Sequence, residues 1–283
     1  MEPEPHTQDS WLWSQLQASV DAVQFRKALR DVGDGGKRWP LWGHMGLHDI
    51  RQRYRRSMLG PFWITVSMGV MVTALGLLYG RIFKLDLQDY LPYLTAGFVI
   101  WGFIANLTTD GTRAFTGDEG FIRQIAAPLS IHAYRVVWSN LIILGHNVLI
   151  YLVVAVWFQV NPGWVLLLAL PALCLLVLNG MWISLFFGLV SARFRDIPLI
   201  VSSLVQVVFF ITPVIWKPAM LPERTLLVDA NPFYHLVEVM RGPLLGHAPS
   251  WENWLGVAVI TVIGWSITLL FYTAYRWRIA YWV

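Results

Sequence analysis

A chain of 283 residues would fill roughly two soluble domains, yet only 13% of this one is Asp, Glu, Lys or Arg, about half the charged share of a globular protein. With 56% apolar residues and 16 Trp, it cannot cover a soluble core with polar surface, and it reads as an all-α integral membrane protein. The single cysteine, Cys174, lies in an apolar run and excludes a disulfide framework or a cysteine metal site, and the formal net charge of +4 reflects topology rather than nucleic-acid binding.

In chain order, Met1 to Ser10 carries acids and prolines in place of a basic stretch and a short apolar core, so no cleavable signal peptide is expected there. Residues 1–43 read as a polar N-terminal cytoplasmic extension. Within it Trp13, Leu16, Val20 and Val23 recur at helical spacing as one apolar stripe, and Gly33 to Gly36, beside Lys37-Arg38, has the composition of a linker. Residues 44–61 hold an N-terminal amphipathic interface helix. Over Leu47 to Met58, Leu47, Ile50, Tyr54 and Met58 share one face, while Arg51, Gln52, Arg55 and Arg56 fall on others and suit anionic headgroups.

Residues 62–283 are expected to form a transmembrane domain of six helices. Charge-free stretches run from Phe62 to Gly80, Tyr90 to Thr109, Ile197 to Trp216 and Asn253 to Tyr275. Between them, Val136 to Ala192 contains no charged residue in 57 and is broken only at Asn161-Pro162-Gly163, which makes two spans and a turn. In the second span Tyr90, Tyr93, Gly97 and Trp101 recur on one face that Asn106 and Thr109 continue. Such a face offers either packing inside the bundle or flat walls and small polar groups for a hydrated, uncharged polymer. Asp110 and Arg113 at its end are close enough in sequence to pair.

The loop from Gly111 to Arg135 sets Asp118, Glu119 and Arg123 beside Phe115, Phe121, Ile122 and Ile125, the mixture expected of a short helix pressed onto another protein or of a solvated connector. Between spans five and six, Lys217 to Glu252 carries five prolines among apolar residues. It is too broken to cross a bilayer and too apolar for an open loop, so short external, re-entrant helices are expected. Sixteen of the 21 Lys and Arg fall on the side of both termini and five on the other, so both ends are expected in the cytoplasm.

Catalytic signatures are missing. Gly36-Lys37 is followed by Arg38, and Asp31 stands where a Walker A motif needs its first glycine. There is no zinc-binding His-Glu-x-x-His helix and no nucleophile elbow. The deep parts of the spans carry no Asp, Glu, Lys or Arg, and of the histidines only His146 lies well inside one, which disfavours ion-coupled transport.

Four stretches in order resemble permeases of ATP-binding-cassette exporters for bacterial polysaccharide: RYRRSMLGPFW (53–63), RFRDIP (193–198), FFITPVIW (209–216) and NPFYHLVEVMRGPL (231–244). The resemblance covers about residues 44–283. It implies a multi-pass protein of the bacterial inner membrane that dimerises, binds two copies of a separate ATPase and moves a lipid-linked polysaccharide such as O-antigen outward. The chain itself would bind no cofactor, with ATP and Mg held by the partner, and would not be an enzyme. Helix 47–58, with Arg51, Arg53, Tyr54, Arg55 and Arg56, would form a gate that captures lipid phosphate. Phe115, Asp118, Glu119, Phe121 and Arg123 would couple to the ATPase, with Arg193, Arg195 and Asp196 as a second contact. Tyr90, Tyr93, Trp101, Asn106, Phe209, Phe210 and Trp216 would line the channel, and Asn231, Pro232, Tyr234, His235, Glu238 and Arg241 would belong to the external helices at its exit. Capsule or teichoic-type polymer export, a drug or small-lipid exporter and a membrane-embedded glycolipid enzyme are the alternatives. The enzyme would draw on Asp118-Glu119 or on the Glu238/Arg241 pair.

Overall fold

The computed structural model describes residues 7–55, 60, 62–220 and 226–283, with side chains of 7–21, 226 and 227 set aside. Every regular element among them is helical. Two helices precede the bundle, α1 (Thr7–Lys37) and α2 (Trp39–Arg53). The glycine-rich stretch expected to be a linker is the last turn and a half of α1. A Cβ at Gly35 would collide with the Ser130 hydroxyl, and one at Gly36 would press on Tyr134. Glycine here admits a close helix contact, and packing overrides its poor helix propensity. Of the expected α1 stripe, Trp13, Leu16 and Val20 lie outside the described side chains, and Val23 is exposed.

Helix α2 begins eight residues before the expected start, with Pro40 in its first turn, where a missing N–H costs nothing. It ends at Arg53; Arg56 and Met58 lie outside the described residues. Trp42 stacks on Tyr134 at 5.7 Å between ring centres and meets Trp138 edge-on at 6.0 Å, and the Ser139 hydroxyl donates to Gly46 O. The helix is thereby docked along the later span Ile131–Trp157.

Five helical runs are long and apolar enough to cross a membrane: α3 (Phe62–Ile82), α4 (Leu87–Gly111), α6 (Ile131–Trp157), the run Gly163–Arg193 containing α7 (Ala169–Arg193), and Trp251–Trp282 containing α11 (Trp251–Tyr275) and α12 (Ile279–Trp282). The short α5 (Glu119–Gln124) lies between α4 and α6. Helix α4 sits at the centre, packed against α3, α6, α7, α8 and α10.

The stretch expected as the fifth span is α8 (Ile197–Ile211), only 15 residues long. At about 1.5 Å per residue it covers roughly 22 Å, short of a hydrocarbon core of about 30 Å. It stops because Thr212 precedes Pro213 and turns extended, as the residue before a proline prefers. Beyond the break come α9 (Leu226–Asp229) and α10 (Pro232–Leu245), the short helices expected of this segment. The Asn231 side chain accepts from Phe233 N and Tyr234 N at the start of α10, Pro232 occupies its first turn, and Gly246 at φ 88° ends it.

Candidate functional site

Two polar clusters sit at opposite ends of the bundle. The first joins α2, α5 and α6. Arg135, near the start of α6, forms ion pairs with Asp118 and with Asp49 of α2, the latter at 3.1 Å. His132 Nδ1 lies 2.8 Å from the same Asp118 carboxylate, and the His132 ring is met edge-on by Phe121 and Phe115. One turn further along α6, Asn140 donates to Asp110 Oδ2 at 3.1 Å, and Arg53 approaches that carboxylate at 3.5 Å. Asp110 thus pairs with α2 and α6 and not with Arg113. Of these groups Asp49, Arg53, Asp110 and Arg135 line an open cavity of 390 Å³.

The charges are not equivalent. Burial raises the Asp118 carboxyl, but hydrogen bonds from His132 and Arg135 and the Arg135 charge outweigh it and pull it down to about 2. At Asp49 burial prevails over Arg135, with Asp118 adding repulsion, and the carboxyl is raised. Burial also raises the Tyr54 phenol.

The segment expected to couple to an ATPase divides in two. Phe115 is fully buried, Asp118 points inward, and Arg123 donates to the main-chain oxygen of Val283. Glu119 reaches Arg195 at 3.3 Å, which ties the 193–198 loop to α5. Gly120, Gln124 and Ile125 are left exposed as the tip. Asp196 is exposed at the start of α8, where its side chain makes no capping bond, and Arg193 stands apart over the Phe194 ring. Arg51 on α2 and Arg55 just beyond its end are exposed and form no ion pair among the described residues.

An anchor that sequence reasoning missed lies beside this cluster. The Asp31 carboxylate of α1 accepts from Leu129 N and Ser130 N at the start of α6, from the Tyr272 hydroxyl at 2.8 Å, and from Arg276 at 3.2 Å. It caps one span from another helix and ties down the end of the last.

The second cluster surrounds the break after α8, and here the channel expectation changes. Tyr90 and Trp101 are buried, and Tyr93 nearly so. The Tyr90 hydroxyl donates to Ile215 O at 2.7 Å and that of Tyr93 to Pro213 O at 3.1 Å. Trp101 lies between Phe209 and Phe233, with ring centres 5.6 and 5.8 Å away. In this conformation the aromatic face of α4 is turned into the protomer, because the irregular backbone of 212–216 needs donors that lipid cannot supply. Gly97 permits the approach: a Cβ there would lie 3.2 Å from Val214 O. Tyr93 also reaches the wall of an open cavity of 670 Å³ that Gln88, Asp89, Gln159, Asn161 and Lys217 share. Asn106 is half-buried, Phe210 is exposed, and Trp216 donates from its indole to Phe210 O.

Arg241 closes this cluster. It is wholly buried, donates to Pro213 O at 2.7 Å and to Glu238 at 2.9 Å, and lies 4.0 Å over the Tyr93 ring. Burial acts to raise the Glu238 carboxyl, yet Arg241 and His247 hold it well below the usual range. The Glu238/Arg241 pair, considered for an enzyme, is therefore engaged in holding the helix break. Asn231 donates to the Thr212 hydroxyl at 3.0 Å, and His235 bridges Asn253 and Asp229 O at 2.9 Å each. Tyr234 is buried, and Pro232 opens α10. No group of three or more metal-ligating side chains occurs among the described residues.

A bundle of long apolar helices with a charged joint at one end and a buried, hydrogen-bonded helix break at the other is a multi-pass membrane protein. The chain belongs to the ABC-2 type transporter family, whose model matches residues 42–245, and is accordingly a membrane subunit of a transporter, not an enzyme. It is similar to two O-antigen export system permease proteins RfbA of Klebsiella pneumoniae. One is 23% identical over 77% of this chain and 87% of that protein, the other 20% identical over 78% and 85%. It also resembles the RfbA permease of Myxococcus xanthus, at 22% identity over 79% of this chain and 88% of that protein.

Proposed function

We propose that this chain is the membrane half of an ATP-driven exporter that carries lipid-linked polysaccharide, O-antigen foremost, out of the cytoplasm. The names of its relatives support the cargo. One geometric observation supports the mechanism: Arg135 bonds both the segment leading into α5 and the helix α2, while the tip of α5 stays exposed. ATP and Mg bind the partner ATPase, two copies of which dock on the α5 tips of a homodimer. Closure of the ATPases pushes α5; Asp118 and Arg135 pass the displacement to α2 and the first span; a channel opens at the dimer seam. The exposed faces of α3 (Val66, Val70, Met71) and α8 (Leu199, Leu204, Phe210) supply that seam. Arg51, Arg53 and Arg55 meet the lipid-linked pyrophosphate at the inner headgroup level, and residues 1–43 remain cytoplasmic.

Asp118→Asn separates coupling from assembly. The purified complex is expected to retain a two-to-two ATPase and to hydrolyse ATP, while glycolipid export into inverted vesicles falls by about tenfold or more, the scale of a lost charge-assisted bond. Export at the parental rate would rule out the relay. A chain purified gently from native membranes without any ATPase would rule out the exporter.

A further inference from the structure

A third cavity lies away from both clusters. It measures 290 Å³ and opens between the ends of α7 and α11, against α12, on the face that carries α5. Leu189, Val190 and Phe271 give it an apolar lining. Its mouth carries two guanidinium groups, Arg193 and Arg278. Neither arginine forms an ion pair among the described residues, and no carboxylate lines the groove. Both are exposed and rest on aromatic rings: Arg193 is 5.5 Å from the centre of Phe194, and Arg278 is 4.7 Å from Trp277 and 5.8 Å from Tyr275.

The contrast with Arg276, two residues earlier, is informative. That side chain is consumed by Asp31 and by Lys27 O, as a structural arginine would be. Arg278 has only ring faces under it and is free to hold an outside anion. An aromatic row runs along the groove: Trp282 to Tyr275 at 6.1 Å, Tyr275 to Phe271 at 6.1 Å, and Phe271 to Phe186 at 5.5 Å. The site therefore offers two unneutralised cations at headgroup depth above a greasy slot between two spans, the arrangement that suits an acyl chain with a phosphate at its end.

From this we infer that the groove holds an anionic phospholipid of the cytoplasmic leaflet as a resident ligand. The inference rests on the proposed orientation, with α5 and both termini inside. It reassigns Arg193 from ATPase contact to lipid. A bound lipid would fill the seam between the fourth and last spans, beside the loop that Arg195 ties to α5, so headgroup composition would set how firmly that loop is held.

The test uses the full chain in nanodiscs of phosphatidylethanolamine doped with phosphatidylglycerol, released for native mass spectrometry so that retained lipids are counted. Phosphatidylglycerol is expected to be retained preferentially. Arg193→Gln and Arg278→Gln each weaken retention by about fivefold, and the pair together by about twentyfold. The charge-matched double variant Arg26→Gln, Arg30→Gln, on the exposed face of α1, leaves it unchanged. Equal retention of both lipids by the parent chain, or equal loss in the α1 control, overturns the site. Displacement of phosphatidylglycerol by equimolar polyprenyl pyrophosphate overturns the resident phospholipid and assigns the phosphate chemistry to the cargo. Loss of ATPase from the Arg193, Arg278 variant with lipid retention intact makes the groove a protein contact. Copurification of ATPase with the parent chain tests the exporter reading on its own, so the two can fail separately.

Discussion

Helices α4 and α8 draw on the same apolar and aromatic residues, yet one is enclosed and the other nearly bare. In α4 the side chains from Tyr90 to Leu107 are mostly buried, whereas Val201 is the only buried residue of α8. In lipid there is no hydrophobic gain from joining two apolar helices, so close approach and hydrogen bonds decide. Helix α4 has both: Gly97 and Gly111 let neighbours in, and two tyrosine hydroxyls cap the broken backbone beyond α8. Helix α8 offers Leu199, Leu204, Val207 and Phe210 to the outside, and its own polar ending is held by residues of α4 and α10.

That difference can be broken most sharply at Arg241. Arg241→Met leaves the largely buried Glu238 with only the exposed His247 beside it, and unfolding in detergent is expected to be easier by about 3–5 kcal/mol. Adding Glu238→Gln recovers part of the loss, because the stranded charge goes with it. No recovery would mean that the bond to Pro213 O carries the effect alone.

Next in size is the joint at the other end, where pH separates two carboxylates. Asp118, lowered to about 2, contributes stability that is present above the ordinary value of 3.8 and disappears only as pH falls through about 2. Asp49 has the opposite sign: its raised pKa means the folded state resists its ionisation, and acidification protonates it first. Between pH 7 and pH 4.5, protection against hydrogen exchange, corrected for the intrinsic pH dependence of the rate, is expected to rise in α2 while that of α5 holds, and Asp49→Asn should abolish that difference. Loss of protection in α2, or an equal change in both helices, would contradict the assignment.

Smaller still is Tyr90→Phe, which removes one buried hydrogen bond and should cost about 1 kcal/mol, read as a lower melting temperature. Smallest for folding is Leu204→Asn on α8, expected within about 0.5 kcal/mol of the parent. Its effect belongs in the monomer-to-dimer ratio by native mass spectrometry. A large loss of folded protomer would show that α8 packs inside it.

Much of this was legible in advance. Long charge-free runs located α3, α4, α6, α7 and α11, and Asn231-Pro232 with Gly246 outlined α10, because burying backbone in lipid leaves few alternatives to a helix. The inward turn of the α4 aromatic face was not readable, since Tyr and Trp at helical spacing suit a passage and a core equally. Their acceptors at Pro213 and Ile215 lie more than a hundred residues away. Asp31, Asp49 and Arg135 were missed for a related reason: a lone charge near the end of a span looks like a topological anchor until its partner from another helix is seen. The glycines at 33–36 misled because composition does not reveal the Tyr134 and Ser130 side chains pressed against them.

The Asp31 carboxylate has a mechanical consequence. By gripping the first turn of α6 and the last turn of α11 together, α1 fastens two spans at one end as a bracket fastens two beams. These spans and α7, which packs against both, form a stator. Rearrangement then falls to the thinly attached α3 and α8, and cutting the bracket with Asp31→Ala would let the frame itself yield under load.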